Sequence, residues 1–153
     1  MHARIAYTVG RLDRAVRHRL AEATSRSGLT VAQYTALSVL EARGPLSNAQ
    51  LARRSFVTPQ AMNEIIAAMV RKAMVARAPD ASHGRIVRIS LTRQGAQVLR
   101  RCDVAARRVE EDMLAGLPRA RRAMLLEVLR GCVAALEEPL ATGSPGTRLL
   151  RKR

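Results

Sequence analysis

Few residues in this chain have the types and spacing needed to make or break bonds. His2, His18 and His83 are scattered without partners at ligand spacing, so no set of nucleophile, base or metal ligands converges. Cys102 and Cys132 lie 30 residues apart, with no Cys-x-x-Cys and no neighbouring His, which argues against a zinc site and a disulfide scaffold. Both cysteines fall on apolar stripes and are expected in the core, where a thiol is a poor oxidant sensor. What the side chains can do is hydrogen-bond and carry charge. From Thr58 to Lys72 one helix face holds Gln60, Asn63, Glu64, Ala67 and Arg71, while Met62, Ile65, Ile66, Met69 and Val70 share the other. An amide donates and accepts at once, which matches the edge of adenine. Ser47 and Thr58 stand at helix starts, where a hydroxyl serves equally as a cap and as a neighbour for phosphate oxygen.

Charge agrees with that chemistry. The 153 residues include 27 Lys and Arg against 12 Asp and Glu, a net charge of +15, which makes a polyanion the leading partner. Its distribution is uneven. Residues 1–28 carry 6 basic and 2 acidic groups, residues 47–93 carry 8 and 2, residues 94–138 carry 8 and 7, and the tail from Pro139 carries 4 and none. A uniform codon bias does not predict one nearly neutral stretch between basic ones.

Helices must position these groups, because aromatics make up only 2% of the chain and an aliphatic core favours packed helices. Ile5, Val9, Leu12, Val16 and Leu20 recur at helical spacing and predict an amphipathic helix ending near Gly28. Thr30-Val31-Ala32-Gln33 has the form of a capping box, opening a helix that Gly44-Pro45 stops. Ser47-Asn48-Ala49-Gln50 repeats the box and opens a short helix. After Ser55-Phe56-Val57, Thr58 caps the next helix and Pro59 takes its first position, where a missing N–H costs nothing. Phe56 is expected to anchor the two helices across this turn.

Val75–Ala78 and Ile86–Leu91 read as two strands joined by a turn-rich stretch from Pro79 to Gly84. Thr92 then caps a long helix, and Leu117-Pro118 separates it from a last one with apolar residues at Leu125, Leu126, Val128, Leu129, Cys132, Val133 and Leu136. So broad a stripe asks for cover from a second copy of the chain. No apolar run of membrane-spanning length and no apolar leader is present, so a cytoplasmic protein with no membrane partner is expected.

In their order and spacing these motifs resemble the MarR family of winged-helix transcription regulators. The resemblance runs from about residue 5 to 136 and is densest at Leu29-Thr30-x-x-Gln33-Tyr34-x-x-Leu37, Gly44-Pro45-Leu46-Ser47, Gln50-Leu51-Ala52, Thr58-Pro59 and Arg85 through Ser90-Leu91-Thr92-x-x-Gly95. Three positions depart from the pattern: Glu64 stands where many members have Arg, Ala73 where a Gly commonly closes the helix, and Gly84 replaces the first basic residue of the wing pair.

The resemblance implies a mainly α fold with a small β-wing: a winged helix-turn-helix over residues 29–93, helical dimerisation regions over 1–28 and 94–138, and a flexible basic tail over 139–153. It implies a homodimer that binds double-stranded operator DNA as a repressor, with no enzyme activity and no cofactor. The recognition helix would enter the major groove start first, and Arg85 would reach the adjacent minor groove. The expected DNA-contacting set is Ser47, Thr58, Pro59, Gln60, Asn63, Arg71, His83, Arg85 and Arg88. An effector cleft for a small phenolic or other aromatic anion is also implied, with Arg11 or Arg14 supplying a cation and Tyr34 a hydroxyl. The rival reading is a non-specific nucleic-acid or nucleoid-associated binder, which charge alone would satisfy.

Overall fold

The computed structural model describes residues 4–80 and 84–137, so His83 and the basic tail lie outside the described residues. Among the described residues six helices and three short strands follow one another: α1 Ile5–Ser25, α2 Val31–Arg43, β1 Leu46–Ser47, α3 Asn48–Arg54, α4 Pro59–Arg71, β2 Val75–Pro79, β3 Val87–Leu91, α5 Arg93–Leu114 and α6 Arg119–Glu137. This is the mainly α architecture with a β-wing that the sequence implied. No described helix is long and apolar enough to cross a membrane.

Local hydrogen bonds set the helix starts. Thr30 Oγ1 accepts from Gln33 N–H at 3.2 Å while Gln33 Oε1 accepts from Thr30 N–H at 3.2 Å. Ser47 and Gln50 exchange the same pair at 3.3 and 3.1 Å, and Thr58 accepts from Ala61 N–H at 3.2 Å. Each such cap satisfies free helix donors and stabilises by about 1 kcal/mol. Gly28 and Gly44, at φ of +69° and +75°, let the chain leave α1 and α2 in a left-handed conformation that costs other residues more.

These short helices turn back on one another around a single core of Leu29, Leu37, Leu40, Leu51, Met62, Ile66, Met69, Val75, Ile89, Leu99 and Cys102. The sheet is antiparallel in the order β1-β3-β2. Val75 pairs with Leu91 and Arg77 with Ile89 along the wing, and Leu46 pairs with Ile89 on the other side of β3. β1 was not expected from the sequence. It has two residues, and its partner lies more than 40 positions away.

Gly95 fixes where α5 leaves the sheet. A Cβ there would stand 2.0 Å from the Met74 carbonyl oxygen, so only glycine allows the approach. The Thr92 hydroxyl accepts from Gly95 N–H at 3.0 Å and lies 2.7 Å from the Ala73 carbonyl oxygen, to which it donates.

The chain divides into two units, one reaching Met113 and the other beginning at Leu114. In the first, α5 buries Gly95, Leu99, Cys102 and Ala106, whereas α1 buries only Thr24 and leaves Ile5, Val9 and Leu12 exposed. In the second, α6 has no buried residue, and Met124, Leu126, Val128, Leu129, Val133 and Leu136 are all exposed. Cys132 is exposed with them, which corrects the expectation that both cysteines are core residues. Stripe position predicts burial only where another element supplies cover. Cys102 does have that cover, and burial pushes its thiol above the usual range.

Candidate nucleic-acid interface

Capping, a sharp turn and one cross-link aim α4 outward. Met62, Ile66 and Met69 pin its inner face to the core, and this leaves Gln60, Asn63 and Glu64 exposed along the opposite face with Arg71 at the far end. Ala67 is half-buried between them, and Val70, expected among the packed residues, is 40% exposed. Asn48 Nδ2 donates to the Pro59 carbonyl at 3.1 Å, tying the start of α3 to the start of α4. Ser47, Thr58 and Pro59 therefore sit with Gln60 around two adjoining helix starts, whose free N–H groups and dipoles favour anions.

The turn between these helices departs from expectation. Phe56 has a φ of 58° and is 79% exposed, so it does not anchor α3 to α4. The left-handed backbone swings its ring outward, and Ser55, only 5% exposed, takes the inner position. Ala73, just past the end of α4, is also left-handed at φ 52°.

On the wing, Arg85 is exposed in the turn that leads into β3. Arg88 has a different surrounding. Its Nε donates to Asp80 Oδ2, whose side chain is only 10% exposed, and its Nη1 donates to the Pro45 carbonyl at 3.5 Å. The sequence suggested Arg88 as a phosphate contact; the structure pairs its charge within the wing and uses the side chain to hold wing and α2–α3 connector together. At the start of β3, Val87 is 48% exposed, whereas Ile89 two residues on is buried.

Arg11 and Arg14, suggested for an effector, lie on one face of α1 with Tyr7, Gly10, Ala15 and His18. Tyr34 is not with them among the residues described there. Its hydroxyl donates to Asp103 Oδ1 at 2.9 Å, and burial together with that carboxylate pushes its pKa up to about 12. The phenol on the α1 face is Tyr7, which sequence reasoning missed although it precedes Arg11 by one helical turn.

A capped helix, a tight turn, a second helix with a polar outer face and a basic-tipped β-wing on one small sheet define a winged helix-turn-helix protein. The MarR family model matches residues 27–86. The chain is 33% identical over 115 residues to the HTH-type transcriptional repressor Rv2887 of Mycobacterium tuberculosis, covering 75% of this chain and 83% of that protein. The solved structure of the same mycobacterial protein with salicylic acid superposes at a TM-score of 0.71, with 30% identity over 85% of this chain and 96% of that one. A MarR family regulator from Silicibacter pomeroyi shares the fold at a TM-score of 0.79, with 22% identity over 88% and 91% of the two chains. The chain belongs to the MarR family of DNA-binding transcription regulators.

Proposed function

We propose that this chain is a homodimeric repressor that reads a specific operator through α4 and the wing, and that a small aromatic anion modulates its hold on DNA. The observation that carries the reading is the exposed amide pair Gln60 and Asn63 near the capped start of α4, on a helix whose inner face is locked into the core. Two amides at that point suit base edges, with Ser47 and Thr58 at phosphates and Arg85 in the adjoining minor groove. Arg71 supplies a phosphate contact at the far end of the helix.

Pairing is supported by the apolar residues left exposed on α1 and α6, which a second copy would cover. Ligand control is supported by the α1 face that carries Tyr7, Arg11, Arg14 and His18, where a guanidinium would meet a carboxylate and the phenol ring an aromatic one. The mycobacterial relative is itself named a repressor and has been solved with salicylic acid and with p-aminosalicylic acid. A ligand held there would shift the balance between dimers whose α4 helices are spaced one DNA turn apart and dimers that are not.

Selection of bound duplexes from a random DNA pool at physiological salt, with Arg85→Ala alongside, tests the reading. A near-palindromic site with half-sites about one helical turn apart is expected, bound about tenfold more weakly by the variant. No enriched site, and binding that vanishes steeply as salt rises, would replace this reading with the non-specific binder that a net charge of +15 would also allow.

A further inference from the structure

We propose that Glu64 reads a cytosine in the operator by accepting a hydrogen bond from the N4 amino group in the major groove. The proposal rests on the DNA-reading function above. Glu64 lies on the exposed face of α4, one turn beyond Gln60 and next to Asn63. Among the described residues its carboxylate has neither an ion pair nor a hydrogen-bond donor.

That bare carboxylate is out of keeping with its surroundings. From residue 47 to 93 the chain has 8 basic residues and only two acids, Glu64 and Asp80. Asp80 is engaged by Arg88. Glu64 has no cation, and it stands on the face that approaches a phosphate-lined groove. Phosphate oxygens can only repel it, so its place there has to be matched by a donor on a base.

An ionised carboxylate accepts hydrogen bonds and donates none. In the major groove guanine presents two acceptors, N7 and O6, and thymine an acceptor and a methyl group, so neither offers a proton. Adenine has its N6 amino group, but N7 lies beside it and repels a second carboxylate oxygen. Cytosine presents the N4 amino group with a C–H beside it, which makes it the one base edge that welcomes a carboxylate. Gln60 and Asn63 can both donate and accept, and so suit adenine. The three side chains then divide the reading between them by chemistry.

Position narrows the claim further. Four residues of α-helix rise about 6 Å along the axis, and successive bases on a strand are about 3.4 Å apart. The cytosine should fall within about two base pairs of the base met by Gln60.

The test repeats the random-pool selection with full-length wild type, Glu64→Gln and Glu64→Ala, with thermal melts to show that all three are equally folded. Wild-type half-sites should carry cytosine at one position, and replacing it should weaken binding about tenfold or more. Glu64→Gln, which gains a donor, should shift that position toward adenine. Glu64→Ala should flatten it and leave the rest of the site intact. If both variants bind every duplex more tightly with base preferences unchanged, Glu64 is only a repulsive charge and the proposal falls, while the DNA-reading function stands. A wild-type protein that enriches no site at all overturns both.

Discussion

Leu51 in α3 and Leu126 in α6 are the same side chain in opposite circumstances: the first is fully buried and the second is 49% exposed. The contrast extends to their whole regions. Between Leu29 and Leu91 the helices are short, capped and sharply turned, and with the first half of α5 laid against them their apolar faces meet within the chain. α6 is a single helix of 19 residues with apolar side chains on several sides and no buried residue. A leucine gains about 1.5–3 kcal/mol from burial wherever it sits, so the reading head collects that stabilisation within one chain and α6 collects none of it there. The head is therefore completed within one chain, and under the proposed dimer the cover for α6 comes from a second copy.

The sharpest way to break this comparison is to charge α6 and leave the head untouched. Leu129 and Val133 lie one turn apart on α6 and both are exposed. The double variant Leu129→Asp with Val133→Asp should cost about 4 kcal/mol or more in association, roughly 1,000-fold in the dimer dissociation constant. Sedimentation equilibrium should find a monomer, with the helical circular dichroism of the head retained. A variant that stays dimeric would show that this face of α6 is not the pairing surface.

Next in size is the strain inside the head. Phe56 and Ala73 are left-handed non-glycine residues at the two ends of the recognition helix. A left-handed conformation costs an L-residue about 1–2 kcal/mol, partly offset by the extra freedom glycine has when unfolded. Phe56→Gly and Ala73→Gly should each raise stability in urea unfolding by about 1 kcal/mol. Thirteen helical residues separate the two sites, so the gains should add. Unchanged or lowered stability in both would mean that the head does not hold these turns in the strained form.

How much of this was legible in sequence depended on the distance over which each feature is decided. The boxes at Thr30/Gln33 and Ser47/Gln50 and the Thr58-Pro59 start were all readable, because a cap is fixed by residues three apart. The outward set Gln60, Asn63 and Glu64 followed from helical period. Features decided by distant partners were not readable. β1 exists only because Leu46 and Ser47 meet Ile89 and Arg88. Arg88 looked like any surface arginine until Asp80 was placed against it. Phe56 was misjudged because an aromatic residue in a tight turn usually points inward, and nothing in the letters Ser-Phe-Val announces a positive φ. Tyr7 shares a helix face with Arg11 but belongs to no motif, whereas Tyr34 stands in the Gln33-Tyr34 motif that the resemblance rests on.

The smallest expected effect tests the seam between the head and the long α5 helix. Tyr34 on α2 donates its hydroxyl proton to Asp103 on α5 at 2.9 Å. Burial first, and Asp103 second, raise its pKa from 10.0 to about 12, because the phenolate would be poorly solvated, would have no proton to donate and would face a carboxylate. The folded state thus holds this proton more tightly than the unfolded chain does. The stabilisation is complete below the unfolded value near 10 and is lost as pH rises through about 12. Tyr34→Phe should cost about 1 kcal/mol at neutral pH, a typical loss for one half-buried hydrogen bond. Urea unfolding across pH should give parallel curves for wild type and variant up to pH 10, with the wild-type advantage shrinking as pH rises from there through about 12. Curves that remain parallel through that window would mean that the hydroxyl does not hold the head to α5 in solution, and the seam would then rest on the apolar contacts of Leu99 and Cys102 alone.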